Sequence, residues 1–394
     1  MQPSLRPCLT MSDVYGPGLF FFPRAFEGAT DWLPKKPYQL DSLTGAPLSV
    51  AGDLPVVCSA GFDSAAGAEL MALAGVALAP NRIQFLAGQE LETLARTLAV
   101  SGQRAVLSHA PPTGAIACDQ CWIDPALLSD INNKANLPTL ARRENVPPRQ
   151  ILNRSAYFER GEPPIPIVLK AVTDQSSGGG FAVAICHTGD ELNRARQLFA
   201  GCDRIVAEDL LDIARNPCLS FAVMPDGTVR YLGAADQDVT PDGKYRGNWL
   251  KPNFPLSEAD IEAATEPVRR AAAMGYRGFA GVDIALARDG RTYVLDLNFR
   301  VNGCTAPLLI APAVWERTGA ALIHFRRLVS PAGGEELARV LRPHVASGRV
   351  IPLNLFDPQA AGYTDKPGIV QALIIGDSRT DILAAESEIT AAIG

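Results

Sequence analysis

Two alternating runs, Gly281–Arg288 and Arg291–Arg300, flank the dipeptide Asp289-Gly290. Asp-Gly between alternating runs is a strong short-range hairpin signal, because a two-residue turn needs positive φ at its centre. Centred there, the register sets Val282 opposite Leu297, Ile284 opposite Leu295 and Leu286 opposite Tyr293, making one face apolar. On the other face Asp283 lies directly opposite Asp296, with Asn298 and Arg300 following on the same side. Opposed Cβ atoms sit about 4.5–5.5 Å apart, where two like charges destabilise a sheet. Ala285, Ala287, Thr292 and Val294 make the surroundings too apolar for an ordinary wetted face, so a cation is expected between the carboxylates. Magnesium, as one or two ions, suits them: it takes one or two carboxylate oxygens and completes its shell with water and phosphate. Asn298 offers a neutral oxygen ligand, and Arg300 a fork for phosphate or carboxylate. The competing reading is an exposed hairpin whose acids are paired by Arg288, Arg291 or Arg300.

A chain of 394 residues exceeds one core, so two to four packed units are expected. A net charge of −6 provides no basic footprint for nucleic acid. No apolar stretch approaches the roughly 18–20 residues that span a bilayer, and Met1–Arg6 lacks the apolar core of a secretion signal. Eight cysteines over this length do not form a disulfide scaffold, which points to the cytoplasm. Cys118 and Cys121 have only His109 close before them, so two ordinary thiols are expected rather than a zinc site. Met11 is a candidate natural start, with an unstructured extension before it.

Residues 1–125 alternate apolar runs (54–58, 82–86, 105–108) with helical stretches (62–74, 90–100), the pattern of a parallel α/β unit. The run Gly18-Leu19-Phe20-Phe21-Phe22-Pro23 has no assigned place. A helical patch at about 125–146 ends at Val146-Pro147-Pro148. Strands 165–170, 181–186 and 204–208, with a helix over 190–199, form a compact unit. Strands at 219–224 and 229–233 and a helix at about 258–274 precede the aspartate hairpin, and residues beyond 335 read as a small αβ tail.

Lys170 ends one apolar strand, and Ser176-Ser177-Gly178-Gly179-Gly180 follows it closely. Consecutive glycines let backbone amides approach a polyanion, and a lysine adds a point charge for the same phosphates. The GxxxxGK[ST] order is absent, so this is not a P-loop. Glu208-Asp209-Leu210-Leu211-Asp212 closes a strand with acids and leucines, able to receive an adenine and a ribose.

Taken in order, Lys134 before a helix, Lys170 with its Ser-Ser-Gly-Gly-Gly loop, the acidic strand end, Asp283 and Asp296-x-Asn298-x-Arg300 resemble the ATP-grasp superfamily. Within it they look like the carboxylate–amine ligases that make amides from amino acids and peptides. The similarity covers about residues 130–310. It implies an α/β chain, α+β in its ATP-binding part: an ATP-grasp fold with a preceding parallel α/β domain and a mobile lid. The expected divisions are an N-terminal domain (1–125), a helical approach and lid (126–211, lid about 165–207), a metal-bearing part (212–334) and a C-terminal αβ segment (335–394). By resemblance, Lys134, Lys170 and Ser176 to Gly180 face the ATP phosphates, and Glu208, Asp209, Leu210 and Leu211 form the adenine hinge. Asp212 is the candidate for ribose; Asp283, Asp296 and Asn298 hold magnesium. Arg300 and Lys170 are placed around the reacting groups; Lys244, in the donor-rich stretch 243–248, and Asn302 are candidates near the phosphates or substrate, with a polar surface loop and ordinary loop capping as the competing readings. Gly281 stands where some relatives have an arginine, and Asp296 where glutamate is common.

The implied chemistry phosphorylates a substrate carboxylate with ATP and lets an amine displace phosphate. The partners are then small carboxylate and amine molecules, with a homodimer as the expected assembly. Competing readings are acyl transfer to a carrier-protein or coenzyme A thiol, and a regulatory protein that binds nucleotide without turnover. A dinucleotide-binding oxidoreductase would need G-x-G-x-x-G, which Ser59–Ser64 does not supply.

Overall fold

The computed structural model describes residues 4–26, 31–159, 164–175 and 177–394. Its strands form three sheets among these residues. In the first, β1 (Leu19–Phe22), β2 (Val56–Ser59), β3 (Arg82–Phe85) and β4 (Arg104–Leu107) run parallel in the order β3-β2-β1-β4. The Leu-Phe-Phe-Phe run that lacked a place is a central strand, buried along its whole length. Leu19 and Phe21 enter one core while Phe20 and Phe22 enter another, as expected for a parallel strand covered on both faces. Strand order turns back between β1 and β4, which opens a crevice at their carboxyl ends. Residues 4–10 are not an unstructured extension. The Leu5 N–H donates to the Gly75 carbonyl (2.8 Å), the Cys8 N–H donates to the Leu309 carbonyl (2.9 Å), and Thr10 caps the helix Met11–Tyr15.

A smaller antiparallel sheet comprises β5 (Arg149–Asn153), β6 (Ile167–Val172), β7 (Val183–Cys186) and β8 (Arg204–Asp209), ordered β5-β8-β6-β7. Its core gathers Phe158, Leu169, Phe199 and Ile205. Helix Gly189–Leu198 begins with a capping box in which Thr188 and Glu191 satisfy each other's backbone N–H groups. β5, absent from the sequence reading, follows Pro147-Pro148 directly.

The third sheet has nine strands among the described residues: β9 (Ile213–Arg215), β10 (Pro217–Val223), β11 (Val229–Val239), β12 (Tyr245–Leu250), β13 (Gly278–Ala287), β14 (Thr292–Asn298), β15 (Leu322–Ser330), β16 (Val350–Phe356) and β17 (Gly368–Gly376). The order is β14-β13-β10-β11-β12-β15-β17-β16, with β9 beside β13. The tail after 335 is therefore no separate segment. Its strands β16 and β17 extend the sheet that carries the aspartates.

The hairpin pairs Asp283 with Asp296 and Val282 with Leu297, as expected, but by another route. The loop holds three residues rather than two: Ala287 N–H donates to the Arg291 carbonyl (3.0 Å), and Gly290 sits at φ +83°. This is the three-residue hairpin with glycine in the left-handed position. It moves the register by one, so Ile284 meets Val294 and Ala285 meets Tyr293, which corrects the Ile284–Leu295 and Leu286–Tyr293 pairs. A bulge between Asp283 and Ile284 then leaves Leu295 unopposed and restores the acid pair. Val282, Ile284, Val294 and Leu297 face helix Glu258–Ala273 in one core with Ala264, Val268 and Ala271.

Candidate active site

A cavity of about 1470 Å³ lies where the three sheets meet. Its floor is one face of the nine-stranded sheet, and cross-strand register shows which residues share that face. Asp296, Asp283 and Cys218 are opposed across β14, β13 and β10; Gln237, Asn248 and Phe325 across β11, β12 and β15; Arg327 and Gln371 across β15 and β17. All of them line the cavity. The smaller sheet contributes Lys170, Ser177 to Gly180 and Glu208 to Leu211, and the β1 and β4 ends contribute Pro23, Ser108 and His109.

The carboxylate pair is electrostatically unequal. Burial, then the charge of Asp296, pushes the Asp283 carboxyl up to about 6. Burial also acts to raise Asp296, but Lys134, Lys170 and Arg300 together hold it below the usual carboxylate range. Lys134 Nζ lies 2.6 Å from Asp296 Oδ1, so this lysine, expected at the phosphates, neutralises a candidate metal ligand here. Among the described residues no three His, Cys, Asp or Glu side chains are grouped to enclose an ion. Two carboxylates and an amide are the sparse donor set that magnesium uses when waters and phosphates complete its shell. A half-buried acid that resists ionisation is also the group a cation would relieve, so the residues fit the ion.

Lys170 and Glu208 form a buried pair at 2.6 Å with side chains 7% and 3% exposed, and Arg149 approaches the other Glu208 oxygen at 2.9 Å. Both Glu208 oxygens are thus engaged, while Asp209, Leu210 and Leu211 line the cavity beyond it. Lys170 Nζ also donates to the Leu295 carbonyl (2.8 Å), the residue that the bulge leaves unopposed. The irregularity therefore ties the smaller sheet to the strand that carries Asp296.

Arg300 Nη2 donates to Asn298 Oδ1 (2.7 Å) and to the Ser177 carbonyl (2.9 Å), spanning hairpin and glycine loop. Ser176 lies outside the described residues. Asn302 lines the cavity, but its Oδ1 accepts from Cys304 N–H (2.9 Å) as a local cap. Its Nδ2 fills the space a Cβ on Gly281 would need (1.9 Å), so no arginine can stand at 281 without displacing it. Gly180 has φ +82°, and a Cβ there would lie 2.7 Å from the Gly243 carbonyl. Gly180→Ala is expected to hold this loop off residues 240–244 and cut turnover about tenfold, with ADP release as the measure.

Lys244 lies in the exposed turn that precedes a strand, Tyr245–Leu250, whose Tyr245, Arg246 and Asn248 line the cavity. Lys244 itself pairs with Asp242 at 3.0 Å and is more than half exposed. Asp212 is a correction. It is 80% exposed, pairs with Arg288 at 3.2 Å and does not line the cavity, because β9 carries the chain away after the hinge. Asp212→Ala is expected to leave the KM for ATP within about twofold in a steady-state assay. Sequence reasoning missed Arg149, His109 and Asn132, whose Oδ1 accepts from Phe299 N–H (2.9 Å). Burial and then the Arg300 charge press His109 down to about 3, so it is neutral at physiological pH. Its position just after β4, at the strand-order reversal, was the available signal.

Two family models match this chain. Residues 143–298 match L-aspartate–L-methionine ligase, ATP grasp, and residues 10–129 match the L-aspartate–L-methionine ligase N-terminal domain. N5-carboxyaminoimidazole synthetase from Staphylococcus aureus, complexed with ADP, is 9% identical with a TM-score of 0.59, over 98% of this chain and 99% of that one. The carboxyaminoimidazole ribonucleotide synthase of Aspergillus clavatus, complexed with ATP, is 12% identical with a TM-score of 0.58, covering 95% and 98%. The L-amino acid ligase from Bacillus licheniformis is 14% identical with a TM-score of 0.53, covering 94% and 97%. Such low identities speak for the fold; the matched family models and the cavity chemistry carry the activity. The chain belongs to the ATP-grasp superfamily, among its carboxylate–amine ligases, and is an ATP-dependent enzyme that joins amino-acid substrates through an amide bond.

Proposed function

We propose that this ligase couples L-aspartate to L-methionine, with magnesium held by Asp283, Asp296 and Asn298. The observation that carries the reading is the single cavity uniting the paired aspartates, the Lys170–Glu208 pair and Arg300, in a chain matched by L-aspartate–L-methionine ligase models over both parts. Magnesium, when bound, supplies positive charge to the phosphate oxygens. Lys170 and the amides of Gly178 to Gly180 orient the triphosphate. A carboxylate oxygen of aspartate attacks the γ-phosphorus, the bond to the β–γ bridging oxygen breaks, and ADP leaves with that electron pair. Arg300 balances charge on the acyl phosphate. The methionine amine then attacks the acyl carbon, phosphate departs with the C–O electrons, and the amine releases a proton. The glycine loop, closed onto residues 240–244, keeps water from the acyl phosphate. No side-chain nucleophile is needed.

Because the nucleotide is ATP, we place the reaction in the cytoplasm; no helix among the described residues is long and apolar enough to cross a membrane. The test is ADP release from ATP and magnesium with L-aspartate and L-methionine, the dipeptide being read by mass spectrometry. Release of ADP only with a thiol acceptor, or AMP as product, would overturn the reading.

A further inference from the structure

The cavity floor continues well beyond the phosphate end. Four strand-to-strand steps separate Asp283 on β13 from Arg327 on β15, about 19 Å at roughly 4.8 Å per step. Arg327 is an unusual group to find there. Its Nη2 donates to Ser42 Oγ (3.0 Å), its Nε is buried without a hydrogen-bond partner, and no carboxylate pairs with it among the described residues. Burial draws its proton affinity down, with Tyr38 opposing weakly. Arg326, one position earlier and facing the other side of the sheet, is paired with Asp238 at 2.9 Å and Glu386 at 2.7 Å. A half-buried guanidinium whose Nε is shut off from water, facing a substrate cavity with no internal counter-ion, is costly unless a ligand supplies the charge. Gln371, opposed to Arg327, adds a donor-bearing amide at the same end. Between the two ends, Asn248 is fully buried with its Nδ2 unpartnered and its Oδ1 accepting from the Tyr245 hydroxyl.

We propose that Arg327, with Gln371, binds the free carboxylate of the amine substrate and so selects an intact amino acid as acceptor. The inference rests on the amide-forming reading above. Spacing favours the second substrate over the first. The ion and the transferring phosphoryl group occupy the floor beside Asp283 and Asp296, and an extended two-residue chain then covers about 7 Å. Of the remaining ~12 Å, the arginine side chain would span about 6 Å, and the phosphoryl group with its cation the rest. The acid substrate, one residue long and anchored at the phosphoryl group, does not reach β15; the far end of the amine substrate does. Arg246, also on the cavity, is half exposed and lies near Asp238 at 3.8 Å, so it is a poorer candidate for a fixed carboxylate site.

The test compares L-methionine with L-methioninamide as acceptor, using wild-type enzyme, Arg327→Gln and Arg327→Lys with L-aspartate and ATP. Wild type is expected to use the amide about a hundredfold less well in kcat/KM. Arg327→Gln is expected to raise the KM for L-methionine about a hundredfold and to lose discrimination against the amide, with Arg327→Lys intermediate. The KM values for L-aspartate and ATP are expected to stay within about twofold. Equal use of both acceptors by wild type overturns the inference whether or not the variants fold. A rise in the KM for L-aspartate instead of L-methionine also overturns it. Trapping with hydroxylamine separates the two levels. Failure to form a hydroxamate from L-aspartate and ATP defeats the ligase reading itself, whereas hydroxamate formation with indifferent acceptors defeats only the assignment of Arg327.

Discussion

Asp296→Asn is expected to lower turnover about a thousandfold or more, because charge stabilisation at the transferring phosphoryl group loses its anchor. It should also destabilise the protein. Lys134, 9% exposed, would lose the carboxylate 2.6 Å away, and breaking a buried pair by removing one partner costs roughly 3–5 kcal/mol. Asp283→Asn separates the two effects: activity should fall as steeply while the metal-free protein becomes more stable at neutral pH. The sign follows from Asp283's carboxyl, pushed up to about 6 from an ordinary 3.8. Between those values the folded state keeps a proton that the unfolded chain has released, so stability falls as pH climbs from about 4 to about 6 and stays lower above. The asparagine removes that fall, worth on the order of 3 kcal/mol at pH 7. Thermal melting across pH 4–8 without divalent cation, beside ADP release with it, checks both signs. A melting temperature for Asp283→Asn below wild type at pH 7 would refute the account. Magnesium binding should also weaken below about pH 6, since the ion must displace the Asp283 proton.

Lys170→Met should remove activity and loosen the smaller sheet together. Its ammonium meets Glu208 at 2.6 Å and the Leu295 carbonyl at 2.8 Å, so the substitution leaves a 3%-exposed carboxylate with Arg149 alone and frees a carbonyl on β14. A loss of about 3–5 kcal/mol is expected, read as a lower melting temperature and earlier proteolysis within 149–209. Lys170→Met/Glu208→Gln should lower stability further without recovering turnover, because Arg149, 6% exposed, then loses the carboxylate 2.9 Å away and becomes the stranded charge. Full recovery of turnover would mean that Lys170 serves only its partner.

The acid pair was legible because alternation together with a two-residue Asp-Gly turn sets a register that opposes Asp283 and Asp296. The detail was not: the loop is one residue longer than Asp-Gly alone suggests, and the bulge at Leu295 cancels the slip. Both depend on backbone geometry that hydropathy does not encode. The motif order singled out Lys170, Glu208, Arg300 and Lys134, all of which line the cavity, but it did not show that Lys134 pairs with Asp296. Asp212 failed because an acid after a strand carries no mark of which way it points. The Phe20–Phe22 run resisted placement because a strand buried on both faces has no period to read. Arg327 was invisible, since Leu322–Ser330 mixes charged and apolar residues on both faces and shows its meaning only once Ser42 and Gln371 are beside it.

One hydrogen-bonded plate carries both the aspartate end and the arginine end of the cavity, while the glycine loop belongs to another sheet. Opening that loop for nucleotide exchange therefore leaves the separation between those ends unchanged, and strand spacing comes in indivisible steps. The plate meters its cargo like a ruler: an acceptor longer or shorter by one methylene must bend or strain, because the scale beneath it cannot stretch.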